Sequence, residues 1–319
     1  MSPLLSPFRL LFLFAGFFAG SLSWSVAADR PLTSVGITVG DLGNPFFLQI
    51  AKGAESKARE LGGANVKIKS VSSNYDLNMQ MNQVEDFIAA KVDLIVLCAA
   101  DTRGVAPAIR KARAAGVIIV AVDVAAEGGV HATIMSDNRQ AGEIAANYLA
   151  DKLGGKGNVL IINGPPVSAV IDRVKGAEIV FARHPGIKVL SKDQNAGGSR
   201  MGGMNVTSDL LTAHPKVDAI FAINDPSALG AALAVQQARR SGIIIASVDG
   251  APDAGKALKD PKSPFAATAA QDPFTMATKA VEIGYGLLQG KKPEQDLTLI
   301  PVTLVTRDNL ATYQGWTTQ

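Results

Sequence analysis

Asn44-Pro45-Phe46-Phe47 places an amide and two adjacent aromatic rings directly after an apolar run, residues 35–39, and at the start of a helix-period segment. Most later apolar runs also end in a short acid or amide: Asp101, Asp123, Asp137, Asn163, Asn224-Asp225 and Asp249. Open α/β sheets take their ligands outside the carboxyl ends of the strands. Carboxylates accept hydrogen bonds from neighbouring hydroxyls, amides both donate and accept, and an aromatic face packs against C–H bonds. A hydrogen bond to a charged group contributes about 1.5–3 kcal/mol, roughly twice a neutral one. The set therefore suits a ligand with many hydroxyls and apolar C–H faces. Blander roles stand beside this one. Paired phenylalanines at a helix start serve a core as readily as a site, and Asp225 before Pro226 can simply cap a helix.

Several chemistries lack their parts. There is no G-x-x-x-x-G-K-[ST] loop to cradle phosphate and no G-x-S-x-G elbow. The Gly154–Asn158 stretch, rich in glycine, precedes a strand rather than a helix, the wrong context for a dinucleotide. Of three histidines, His184 and His214 precede prolines at turns, and His131 has no partner at metal-ligand spacing. Asp123 and Asp249 could form a glycosidase acid–base pair only by meeting across two halves of the chain. No cofactor, no metal and no catalytic group is expected.

Composition narrows the setting. Arg9, a charge-free stretch over residues 10–20 and the small residues Ser25-Val26-Ala27-Ala28 describe an export leader over residues 1–28, cleaved near Ala28. A membrane anchor is the alternative, but its apolar core falls short of the roughly 20 residues that span a bilayer. Removing the leader takes away only Arg9, so the formal charge falls from +3 to +2. That near-neutral balance, without Lys/Arg blocks, gives no footprint for nucleic acid. The single cysteine, Cys98, excludes an internal disulfide and sits in an apolar run, as a buried small residue would.

Along the chain, short β-branched runs alternate with Ala-rich helical patterns. Strands are predicted at 34–40, 66–72, 94–99, 117–122 and 132–136, then at 158–163, 187–191, 218–223, 243–248 and 265–270. Helices are predicted between them, from about 46–61 to 273–289. This alternation reads as α/β, with doubly wound parallel sheets covered on both faces. About 290 residues and a pattern that restarts near Asn158 favour two lobes over one. The break falls near Ser136-Asp137-Asn138. No long linker separates the lobes, which implies short hinge strands with a ligand cleft between the lobes.

At this point the chain resembles a family: the periplasmic sugar-binding proteins of ATP-binding-cassette (ABC) importers, specifically the ribose-binding protein group. The resemblance rests on Asn44-Pro45-Phe46-Phe47, Ser136-Asp137-Asn138, Leu210-Leu211-Thr212-Ala213-His214-Pro215, Asn224-Asp225 with Ala228-Leu229-Gly230-Ala231, Val248-Asp249-Gly250 and Ala270-Gln271, all in order. It implies the type I periplasmic binding protein fold, with three hinge crossings. The lobes would comprise residues 29–136 plus 272–302 and residues 137–271 plus 303–319. It also implies ligand contacts at Asn44, Phe46, Phe47, Cys98 and Asp123 in the first lobe, with Ser136 at the first crossing. Arg173, Asn224 and Asp249 would follow in the second lobe, and Gln271 at the second crossing.

Three departures argue against ribose itself. Cys98 stands where ribose binders place asparagine, Val124 where they place arginine, and Asn195-Ala196-Gly197-Gly198-Ser199 offers no aromatic wall. Asn195 and Ser199 are the polar groups left there to replace it. The implied ligand is another pentose, a non-ribose furanose, a smaller sugar, or an acyclic tetritol or pentitol. The implied protein is an exported periplasmic monomer that hands its ligand to an ABC permease. A ligand sensor for chemotaxis or signalling would use the same closed form. A transcription regulator with this sensor would need a helix-turn-helix before the first lobe.

Overall fold

The computed structural model describes residues 29–316, so the leader expected over residues 1–28 lies outside the described residues. The chain begins with β1 (Ser34–Val39), α1 (Pro45–Gly62), β2 (Lys67–Ser72), α2 (Leu77–Ala89), β3 (Leu94–Leu97), α3 (Ala106–Ala114), β4 (Ile118–Val122) and β5 (Ala132–Ser136). It continues with α4 (Asn138–Lys152), β6 (Lys156–Ile162), α5 (Ser168–Ala182), β7 (Gly186–Ser191), α6 (Arg200–Ala213) and β8 (Ala219–Ala222). Then come α7 (Asp225–Gln237), β9 (Ile244–Asp249), α8 (Pro252–Lys259) and β10 (Phe265–Ala270). The last elements are α9 (Pro273–Leu288), β11 (Leu297–Ile300), β12 (Thr303–Thr306) and a 3-10 turn at Leu310–Thr312.

These strands form two six-stranded sheets of matching order, β11-β5-β4-β3-β1-β2 and β12-β10-β9-β8-β6-β7. All pairs are parallel except β10 with β12, which adds an antiparallel edge. Helices cover both faces of a parallel sheet, so its inner strands need apolar residues at successive positions rather than alternate ones. β3 and β8 are accordingly buried throughout. Each fully buried Ile, Leu or Phe contributes about 1.5–3 kcal/mol. The edge strands β2 and β7 instead expose Lys67, Lys69 and Lys188, which discourages pairing with another chain.

The chain passes between the sheets three times. It leaves the first after Ser136, returns after Gln271 and crosses again at Pro301-Val302, between β11 and β12. α4 packs on α5, β9 and β10 of the second layer, whereas α9 packs on α1 and on β3 to β5 of the first. In each sheet the order reverses beside the first strand, between β1 and β3 and between β6 and β8. Ligands bind at such a switch point.

Candidate functional site

The carboxyl ends of the two sheets face each other and enclose a cavity of about 60 Å³. Asn44, Phe46, Phe47, Cys98 and Asp123 line it from the first lobe, and Arg173, Asn224 and Asp249 from the second. The structure thus brings eight of the ten sequence-selected residues together at one cavity. Ser136 and Gln271 lie behind it, at the crossings.

Local chemistry explains each placement. Asn44 caps α1, its Oδ1 accepting from Phe46 N at 3.0 Å, and Pro45 opens the helix. The cap aims the next two side chains into the cavity wall. Phe46 and Phe47 meet edge to face, 5.5 Å between centroids at 90°, and both are buried. Asn224 caps α7 through Ser227 N at 3.0 Å and donates to Gly198 O at 2.9 Å. Much of its hydrogen-bonding capacity is therefore already used within the second lobe.

Arg173 is fixed by a close helix crossing. A Cβ on Gly142 of α4 would lie 2.0 Å from Arg173 O, and one on Gly176 of α5 would lie 2.3 Å from Arg139 O. Only glycine lets these two backbones touch. The contact holds Arg173 against the start of α4, where its Nε donates to Asn138 Oδ1 at 2.8 Å. Its Nη1 donates to Ile223 O at 2.9 Å and lies 3.5 Å from Asp249 Oδ1.

Asp123 and Asp249 follow β4 and end β9, equivalent strands of the two sheets. Both adopt positive φ, +67° and +136°, a conformation that costs a non-glycine residue on the order of 1–3 kcal/mol and clusters at functional sites. Asp123 Oδ2 accepts from the Cys98 thiol at 3.5 Å, while its buried Oδ1 has no protein partner. Asp249 Oδ1 accepts from Gln271 Nε2 at 2.8 Å. Burial raises both carboxyls above their ordinary range, and the Arg173 guanidinium pulls both back only in part. Burial and the neighbouring Asp123 carboxylate likewise push the Cys98 thiol well up. The arrangement is one buried cation paired with Asp249 and acting on Asp123, whose Oδ1 is an open acceptor. Such a set recognises hydroxyls, because a ligand lacking one leaves a buried polar group unpaired.

A periplasmic binding protein domain matches residues 35–292. This chain belongs to the periplasmic binding protein family. It is 34% identical to the ribose import binding protein of Bacillus subtilis over 284 residues, covering 89% of this chain and 90% of that one. It is 30% identical to the xylitol-binding protein of Mycolicibacterium smegmatis over 287 residues, 89% of this chain and 80% of the other. An ABC transporter solute-binding protein of Mycobacterium smegmatis, solved with bound glycerol, superposes with TM-score 0.83 at 26% identity. That match covers 91% of this chain and 99% of that structure.

This periplasmic binding protein also departs from the sequence expectations. Asp101, Asp137 and Asn163 lie in the segments after β3, β5 and β6 but do not line the cavity. Asp137 caps α4 through Gln140 N, and Asp101 accepts from Arg103 N and Gly104 N. Asn163 bonds Gly164 N and Lys192 O. Asn195 and Ser199 do not replace the missing aromatic: Asn195 accepts from Gly197 N, and Ser199 caps α6 through Gly202 N. The second-lobe wall is aliphatic instead, built by Pro165, Val167, Val170 and Ile223. Ser136 is fully buried, its Oγ without a protein partner. Asp225 points away into its own lobe, accepting from Ser247 Oγ, Thr268 Oγ1 at 2.8 Å and Ala251 N at 2.7 Å.

Tyr75, Asn138 and Trp316 were not singled out as site residues from sequence. Tyr75 lines the cavity. Asn138 orients Arg173, and Trp316 backs Phe46 from the chain's end. Among the described residues no three acids, histidines or cysteines cluster to hold a metal ion, and no helix is long and apolar enough to cross a membrane.

Proposed function

We propose that this protein is exported to the periplasm, captures one small neutral polyol or sugar between its lobes, and delivers it to an ABC permease. The observation that carries this reading is the cavity walled from both sheets, with Arg173 between Asp123 and Asp249 and the Phe46–Phe47 wall opposite aliphatic residues. The lobes are residues 29–136 plus 272–302 and residues 137–271 plus 303–319. They close about the three crossings as a hinge. Asn44, Phe46, Phe47, Cys98, Asp123, Arg173, Asn224 and Asp249 contact the ligand, and Ser136 and Gln271 support them. The role is binding rather than catalysis, carried out by a monomer whose leader, residues 1–28, is removed near Ala28.

The ligand class is a tetritol, a pentitol or a pentose other than ribose. The cavity is small, its second wall is aliphatic, and Cys98 and Val124 remove two hydrogen-bonding groups. A relative named for xylitol and a fold neighbour solved with glycerol support the polyol side of that choice.

A thermal-shift screen of residues 29–319 against erythritol, xylitol, ribitol, arabinitol and the aldopentoses tests it. A ligand at a hundred times its dissociation constant stabilises the folded state by about 2.7 kcal/mol, a shift of several degrees. A shift with one of these ligands other than ribose, confirmed by calorimetry at one site per chain, is expected, and a shift with ribose above all the others overturns the ligand class. No shift with any of them overturns the reading.

A further inference from the structure

Beside the inner cavity lies a second, outer cleft of about 340 Å³, also between the lobes and bordered by Asp41, Arg200, Pro226, Leu229 and Asp253. Asn44, Tyr75 and Gly198 line both spaces. Asn44 is held by its capping bond and Gly198 has no side chain. The one large body between the two spaces is therefore the Tyr75 ring.

That ring is held in place from several sides. A Cβ on Gly40, at the end of β1, would lie 2.7 Å from Tyr75 Cε1 and 2.9 Å from Cζ, so the missing side chain is the seat for the ring. Phe47 meets it edge-on at 6.0 Å between centroids. The backbone beneath is pinned too: Ser73 N and Oγ both donate to Val39 O, at 2.8 and 3.1 Å, and Asp76 caps α2 through Met79 N. Between those anchors Asn74 and Tyr75 adopt φ of +52° and +57°. A left-handed conformation is strained for a bulky L-residue, and it persists only where the surroundings over-determine it. Burial and the nearby Cys98, Asp123, Asp41 and Asp249 all raise the Tyr75 phenol, which keeps it a neutral donor at the cavity edge.

We propose that Tyr75 is the partition that sets ligand length: its ring ends the inner cavity, so a polyhydroxy chain no longer than that cavity fits and a longer one is turned away. The inference rests on the polyol-binding reading above. Tyr75 stands in for the aromatic that the second lobe lacks at Gly198, but from the opposite lobe and as an end wall rather than a stacking face. Removing the ring joins the inner cavity to the outer cleft and admits longer or substituted ligands.

Isothermal titration of the whole mature chain against erythritol, xylitol, sorbitol and the seven-carbon perseitol reads this directly. The wild type is expected to lose at least tenfold in affinity where chain length passes its preferred ligand, the scale at which a mismatched methylene discriminates in a pocket. In Tyr75→Ala that drop shrinks at least tenfold, through gain for the long ligand and loss for the short one. Tyr75→Leu, which keeps an apolar body over Gly40, moves the ranking in the same direction by less. Tyr75→Phe keeps the wild-type ranking. A wild type that binds the short polyols, with Ala and Leu variants that fold and retain its length ranking, overturns the partition while leaving the binding reading intact. A wild type that binds none of these ligands and no pentose overturns both.

Discussion

The indole of Trp316 meets the ring of Phe46 at 5.7 Å between centroids and 69°, joining the last described residue to the start of α1. Its Nε1 donates to Gln271 O at 3.0 Å, and Gln271 in turn holds Asp249. Trp316 therefore touches both the aromatic wall of one lobe and the crossing behind the acid of the other. In a chain beginning at Asp29 it is the only tryptophan, since the other is Trp24. Its emission is expected to change when ligand closes the lobes, with the same midpoint as calorimetric binding. Trp316→Phe removes the signal but keeps affinity within about threefold, whereas Trp316→Ala lowers stability by about 3–5 kcal/mol, as large-to-small core changes do. An emission spectrum unmoved by saturating ligand rejects this coupling.

Arg173 answers to two acids at once, so its loss is felt twice. Arg173→Ala leaves Asp249 and Asp123 buried without their shared cation, which costs about 3–5 kcal/mol for a broken buried pair. Binding is expected to fall more than a hundredfold. Arg173→Lys keeps the charge but loses the fork that reaches both Asn138 Oδ1 and Ile223 O, and should fall between the two. Normal affinity in a folded Arg173→Ala would remove it from the site.

Legibility in the sequence followed burial and periodicity. The inner strands read clearly because helices on both faces demand unbroken apolar runs, as in Leu94–Leu97 and Ala219–Ala222. α8, β11 and β12 did not stand out. They run only eight, four and four residues, and β11 exposes Leu297 and Leu299. At the strand ends one residue type serves two roles: a short acid or amide accepts ligand hydroxyls and also caps the next helix. Asp137 caps, Asp123 faces the cavity, and Asn44 and Asn224 do both. Tyr75 was hidden for another reason. Its position comes from a left-handed turn and from the absent side chain of Gly40, neither of which leaves a pattern along the chain.

Cys98 is buried and its thiol is raised, so the reactive thiolate is scarce at neutral pH. A thiol reagent at pH 8 should label the folded protein far more slowly than the protein in guanidinium. Cys98→Ala takes from Asp123 Oδ2 the thiol donor it has, and is expected to cost about 1–3 kcal/mol, whereas Cys98→Ser is milder because a hydroxyl donates in its place. Rapid labelling of the native thiol would contradict this burial.

Buried acids give the protein a distinctive response to pH. Burial pushes the Asp225 carboxyl up to about 6, against the hydrogen bonds from Ser247, Ala251 and Thr268 that favour its ionised form. An unfolded aspartate titrates near 3.9. Between about pH 4 and 6 the native state therefore holds a proton that the unfolded state has released, so this group's contribution to stability falls as pH rises through that window and is level above it. The size is on the order of 3 kcal/mol, about two units at 1.36 kcal/mol each. Asp123 and Asp249, also raised, act in the same direction. Urea midpoints from pH 4.5 to 7.5 should show wild type losing ground relative to Asp225→Asn as pH rises; a constant difference across the range would refute the assignment. Ligand hydroxyls that donate to Asp123 and Asp249 favour their ionised forms, so binding should expel protons and tighten with rising pH. Calorimetry at pH 6 in buffers of different ionisation enthalpy measures that release. Proton uptake instead would mean that the ligand accepts from a protonated carboxyl, and the roles assigned to these two acids would have to be exchanged for donors.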